Sequence, residues 1–131
     1  MSALDDPAAY QRLDPQDMRA VIRDLPRQCG AAWQEAQAFD LPADYRDVDK
    51  VVILGMGGSA IAGDLLRSLA ARRSRKAVFV CRGYEVPSLV DENTLVVAAS
   101  YSGETEETLA AFSQVLRGPA KKLVITTVAP R

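Results

Sequence analysis

Apolar and polar positions change their period several times along the chain, and each change predicts an element. Met18, Val21, Ile22 and Leu25 recur at helical spacing after Asp14, a good N-cap, with Pro15 at the first helical position. Pro26 is expected to kink or end that helix, and a second segment, with Cys29, Trp33 and Ala36 on one face, runs to about Phe39. Trp33 lies on the apolar stripe and is expected to pack in the core. Residues 1 to about 14, polar and punctuated by Pro7 and Pro15, read as a mobile or loosely docked arm.

Leu41 to Lys50 is a polar connector, and beyond it the pattern becomes that of an α/β protein. Val51–Leu54, Ala77–Cys81, the stretch from Thr94 and Lys121–Thr127 are aliphatic runs, with VAPR closing the chain. Unbroken apolar runs are what strands buried on both faces of a parallel sheet show. Two helices are predicted between them. The first, from about Ser59 to Ala71, has Ile61, Leu65 and Leu69 spaced to pack on a sheet; the second, from about Glu104 to Leu116, has Leu109, Phe112 and Val115 or Leu116 on its buried face. Gly63 interrupts the first helix at a cost of up to about 1 kcal/mol, which suggests close packing against a neighbouring backbone. The expectation is a doubly wound parallel sheet in the order 2-1-3-4, with residues 1–40 as an N-terminal arm and helices and residues 41–131 as a partial domain.

Candidate chemistry concentrates where two strands end. After Val51–Leu54 come Gly55, Met56, Gly57, Gly58 and Ser59 at the start of a helix. Unpaired N–H groups and partial positive charge there attract an anion. A P-loop is excluded, because Ser59 and Ala60 stand where Lys and Ser or Thr are needed. Gly55, Gly57 and Ala60 do fit a dinucleotide fingerprint, but the acidic residue expected about 20 positions on is missing. The next strand ends instead in Cys81, Arg82 and Gly83. NAD is disfavoured, although Arg82 leaves a phosphorylated dinucleotide formally open. The third strand leads into Ser100, Ser102 and Thr105, whose hydroxyls can each donate to a phosphate oxygen beside the next helix. Arg82, at the carboxyl end of its strand, is either a ligand contact or a surface ion pair. Tyr84 reads as a packed aromatic, and Arg72, Arg73, Arg75 and Lys76 as a solvated cluster complementing a helix dipole.

Composition narrows the function classes. The 131 residues carry a net charge of −1 and are 48% hydrophobic, ordinary for one globular domain and no argument for nucleic acid. No apolar run approaches the 18 or so residues of a membrane span, and the N-terminus lacks the features of a signal peptide, so a cytoplasmic protein is expected. Cys29 and Cys81 are far apart, and the absence of histidine removes the commonest acid–base group as well as a zinc ligand. No metal site is expected.

Together, Gly57-Gly58-Ser59 and Ser100-Tyr101-Ser102-Gly103-Glu104-Thr105 resemble the sugar isomerase (SIS) domain. GMGGSAIAGD, Gly55 to Asp64, and SYSGETEET, Ser100 to Thr108, are similar to the corresponding loops of bifunctional phosphoglucose/phosphomannose isomerases. The likeness extends upstream through Asp17, Met18, Ile22, Pro26, Gln28 and Ala32. It implies a flavodoxin-like sheet with a fifth strand that this chain does not supply, and a hexose 6-phosphate held by Gly57, Gly58, Ser59, Ser100, Ser102 and Thr105. Two positions depart from the family pattern: Gly83, where an Arg-Asp-Tyr sequence is common, and Glu104, where Asn is common. The implied reaction is aldose–ketose isomerisation through an enediol, without a cofactor. In the likeness the catalytic Glu and His come from later in a longer chain with a second SIS domain. This chain is therefore expected to bind phosphosugar as an N-terminal segment, inactive alone, in a homodimer or against a partner SIS domain. The alternative is a stand-alone, non-catalytic SIS module that senses a sugar phosphate.

Overall fold

In the computed structural model, which describes residues 5–127, each aliphatic run becomes a strand. The strands are β1 (Lys50–Gly55), β2 (Ala77–Cys81), β3 (Thr94–Ala99) and β4 (Lys121–Ile125), and the helices are α1 (Pro7–Leu13), α2 (Met18–Ala38), α3 (Gly57–Arg73) and α4 (Glu106–Val115). All strand pairs are parallel, in the order β2-β1-β3-β4. Leu54 is level with Cys81 on one side and Ala98 on the other, so the three strands end together at one edge of the sheet. The segment VAPR lies outside the described residues.

The described residues form two compact units, divided between Leu41 and Pro42. In the sheet unit, side chains alternate between two faces. Val52, Leu54 and Val96 form the core cluster with Ala111 and Val115 of α4 and with Ala120. Ile53 and Val80 point to the opposite face, where their methyl groups lie 3.1–3.3 Å from where a Cβ on Gly63 of α3 would stand. One helix therefore covers each face, which is the doubly wound arrangement. Gly63 does mark close packing, but against the side chains of Ile53 and Val80 and not against backbone.

Helix α3 buries a different face from the one its large residues predict, and α4 does so only in part. Ile61, Leu65 and Leu69 of α3 are half or more exposed, and Ala60, Gly63 and Ala70 are buried instead. In α4 the expected Val115 is buried with Thr108 and Ala111, and Phe112 packs against the core cluster, while Leu109 and, just past the helix, Leu116 are exposed. In α3 small side chains let the helix axis approach the sheet, and the large ones are left outward. Tyr84 is also exposed, and its backbone oxygen accepts from Gln114 Nε2 at 2.5 Å.

The N-terminal unit corrects several expectations. Residues 7–13 are helical, with the Asp6 carboxylate accepting from Ala8 N at 2.9 Å and Pro7 in the first turn. Asp14 caps α2 from further out than predicted: its two oxygens accept from Met18 N and Arg19 N, each at 2.8 Å, while Asp17 occupies the cap position at φ 51°. The helix then runs through Pro26 to Ala38 without ending. Trp33 is not in a core; it is 66% exposed. In the connector, a 3₁₀ turn at Ala43–Asp47 carries Tyr45, whose hydroxyl donates to Lys122 O at 3.0 Å and ties the turn to β4.

Candidate functional site

Two turns at the carboxyl edge of the sheet border one open cavity of about 520 Å³, lined by Met56, Gly58, Ser59, Tyr101, Ser102 and Thr105. The first turn follows β1. Gly57 begins α3 at φ 51°, a left-handed conformation that glycine adopts without strain, and the backbone closes through Ser59 N donating to Met56 O at 3.1 Å. Met56 at the cap makes no side-chain hydrogen bond to the helix. Ahead of Ser59, the N–H groups of Gly57 and Gly58 make no hydrogen bond among the described residues, and Gly58 lines the cavity.

The second turn follows β3 and is held by its own hydroxyls. Ser100, 8% exposed, has its Oγ 2.9 Å from Thr105 Oγ1 and accepts from Gly103 N at 3.1 Å. Ser102 Oγ accepts from Glu104 N at 3.2 Å, and Gly103 turns the chain at φ 70°. Thr105 then caps α4 without a side-chain bond to the helix, so a second set of helix N–H donors opens near the first. Gly55 lets the turns meet: a Cβ there would stand 3.1 Å from Ala99 O.

Of the sequence-predicted residues, Gly58, Ser59, Ser102 and Thr105 are brought together on the cavity wall. Gly57 shapes the turn, and Ser100 sits behind Thr105 as its hydrogen-bond partner. Arg82 is outside the lining and forms an ion pair with Asp64 of α3. Met56 and Tyr101 line the cavity without having been singled out; their signal in the sequence is only adjacency to the glycine and hydroxyl residues. Glu104 is exposed and lies outside the lining, so the family departure at that position puts no carboxylate on the wall. Acidic charge does gather at the start of α4, where Glu106 and then Glu107 push the Tyr84 phenol up. Burial pushes the Cys81 thiol up, which keeps it protonated and not nucleophilic. Among the described residues no cluster of His, Cys, Asp or Glu could hold a metal ion, and no helix is long and apolar enough to cross a membrane.

The SIS domain model matches residues 44–130, which is the sheet unit with both turns. The chain belongs to the SIS domain family. Among curated SIS relatives, the bifunctional phosphoglucose/phosphomannose isomerase of Caldicellulosiruptor bescii is 43% identical over 106 residues, 81% of this chain and 31% of that protein. The enzyme of the same description from Thermoplasma acidophilum is 49% identical over 59% of this chain and 24% of its own length. A D-glucosamine-6-phosphate 4-epimerase from Sulfolobus acidocaldarius is 35% identical over 72% of this chain and 29% of its own. The chain thus spans about a third or less of the curated relatives it matches. A solved structure from Salmonella typhimurium LT2, described as a candidate phosphosugar isomerase, matches with a TM-score of 0.55 at 20% identity, over 67% of this chain and 32% of that one. At that identity the likeness bears on the fold, and it agrees with the SIS sheet.

Proposed function

We propose that the sheet unit grips the phosphate of a hexose 6-phosphate, as the phosphosugar-binding part of a phosphoglucose/phosphomannose isomerase. The observation that carries this reading is the shared cavity: Gly58, Ser59, Ser102 and Thr105 line one space at the N-termini of two helices. Neither helix satisfies its first donors with a capping side chain, and hydroxyls from both turns stand beside them. An anion is what such an arrangement binds. The named substrates of the relatives are phosphosugars, which makes phosphate the natural anion.

Isomerisation needs more than that grip. A proton must move between C1 and C2, and the developing enediolate needs stabilisation. The cavity wall contains neither a carboxylate nor an imidazole to move the proton. The chain alone therefore binds without turnover.

A thermal-shift titration with fructose 6-phosphate, with NADPH as the competing ligand, tests the reading. A ligand at 100-fold excess over its Kd stabilises a two-state fold by about 2.7 kcal/mol. Stabilisation by the sugar phosphate that Ser59→Ala and Ser102→Ala both abolish is the expected result. Stabilisation that survives both substitutions places the ligand elsewhere, and a stronger response to NADPH favours a dinucleotide. Isomerase activity in the purified chain would refute the non-catalytic part.

A further inference from the structure

We propose that Arg82, held in position by Asp64, reads the sugar portion of the ligand and not its phosphate, an inference that rests on the phosphosugar reading of the cavity. Arg82 is the first residue after β2, and Cys81 before it is in register with Leu54 of β1. The backbone of Arg82 therefore leaves the sheet at the same edge as Met56 and Gly58, which line the cavity from the end of β1, and its guanidinium turns to Asp64 of α3. Ligands of doubly wound sheets bind outside that edge.

Asp64 fixes where Arg82 can reach. It follows Gly63, whose missing side chain seats α3 directly on Ile53 and Val80, so the carboxylate has a set position over β1 and β2. Its Oδ2 accepts from Arg82 Nη2. Its Oδ1 lies out of solvent, 3.4 Å from Arg67 Nη2, and takes no hydrogen bond among the described residues. One carboxylate thus stands between two guanidiniums.

This pairing decides which part of a ligand Arg82 suits. Asp64 offsets its charge, and the phosphate already has two helix N-termini and the hydroxyls of Ser59, Ser102 and Thr105. A guanidinium has five N–H donors, and the Arg82 side chain remains 42% exposed after pairing. What is left over is a set of oriented donors outside the phosphate cavity, suited to the hydroxyls of a sugar. Asp64 is a positioning residue, acting through Arg82.

The test is calorimetric titration of the full chain with fructose 6-phosphate and, separately, with inorganic phosphate. Arg82→Ala is expected to weaken the sugar phosphate by about tenfold, the size of one hydrogen bond to a charged group, and to leave inorganic phosphate within about twofold. Arg82→Lys keeps the charge without the fork and should recover only part of the loss, which also separates a lost contact from a lost fold. Asp64→Asn should move the same ratio in the same direction by less. Ser59→Ala should weaken both ligands together. Equal losses for the two ligands in Arg82→Ala, or no loss for either, overturn the proposal while leaving the phosphate site intact. A wild-type chain that binds neither ligand overturns both readings.

Discussion

Between β1 and α3 the backbone turns at Gly57, φ 51°, with no side chain bonded to the helix start, whereas between β3 and α4 the turn is stitched by the hydroxyls of Ser100, Ser102 and Thr105. The first turn is defined by what its residues lack, the second by what they carry. Sterics should therefore break the first, and lost hydrogen bonds the second. The ligand consequences differ too, because the first offers mainly backbone donors while the second has committed part of its hydroxyl capacity to itself.

The largest effect is expected where the turns meet. Gly55→Val adds a branched side chain whose Cβ would stand 3.1 Å from the backbone oxygen of Ala99, on the strand alongside. Backbone in a central strand cannot step aside as a flexible side chain does. We expect a cost of about 3 kcal/mol, the upper range for overpacking, which lowers Tm by roughly 12 °C or more in a domain of this size. Thermal unfolding reads it directly. A loss under about 1 kcal/mol would mean that the glycine turn is less sterically defined than its partner.

Ser100→Ala comes next. It removes an acceptor from Gly103 N–H and the partner of Thr105 from a nearly buried position, with an expected cost of about 1–2 kcal/mol. Gly103 N also reaches Ser100 O at 3.3 Å, which holds the figure below a complete loss. Ser59→Ala sharpens the contrast. That hydroxyl makes no hydrogen bond among the described residues, so its removal should stay within about 0.5 kcal/mol in a urea melt while weakening the ligand. If Ser59→Ala destabilises as much as Ser100→Ala, the division between a backbone turn and a hydroxyl turn fails.

Much of this arrangement was legible from the chain's pattern, and the failures have physical causes. Aliphatic runs place β2 at its observed bounds, and the glycine and hydroxyl motifs identify both turns, because tight loops at strand ends demand particular residue types. The periodicity found Val115 and Phe112 on the packed side of α4, but the buried face of α3 was misread because large apolar residues dominate any periodicity, whereas α3 uses Ala60, Gly63 and Ala70 to lie close to the sheet. The same weighting put Trp33 in a core that α2 does not have, since no residue of that helix is buried. For α1, the cap was written in Asp6 and Pro7 but outweighed by the polarity around it. The pairing of Arg82 with Asp64 spans eighteen positions and depends on α3 lying over β2, a relation that local pattern does not encode.

The opposite end of the same two strands offers the gentlest test, because it should respond to pH without touching the ligand. Lys50 Nζ, in β1, lies 3.0 Å from a carboxylate oxygen of Asp91 just before β3, and 2.9 Å from Asp49. The Lys50 ammonium, and after it the Thr94 hydroxyl, hold the Asp91 carboxyl below its ordinary value of 3.8. Since the folded value is below the unfolded one, this contribution is complete above the ordinary value and is lost as pH falls through the lowered one. Lys50 is pushed up, first by Asp49 and then by Asp91, so its part is complete below the ordinary lysine value and lost only as pH rises through the raised one. Asp91 remains 44% exposed, and solvent screening keeps the effect small. Urea midpoints for wild type and Asp91→Asn should therefore converge as the solution becomes more acid than pH 3.8 and separate toward neutrality. At neutral pH the variant should bind fructose 6-phosphate like wild type, because the pair sits at the amino ends of strands whose carboxyl ends carry the cavity. A binding loss comparable to that of Ser59→Ala would show that the two ends of the sheet are coupled, and the turns would then have to be treated as one element with the strands that bear them.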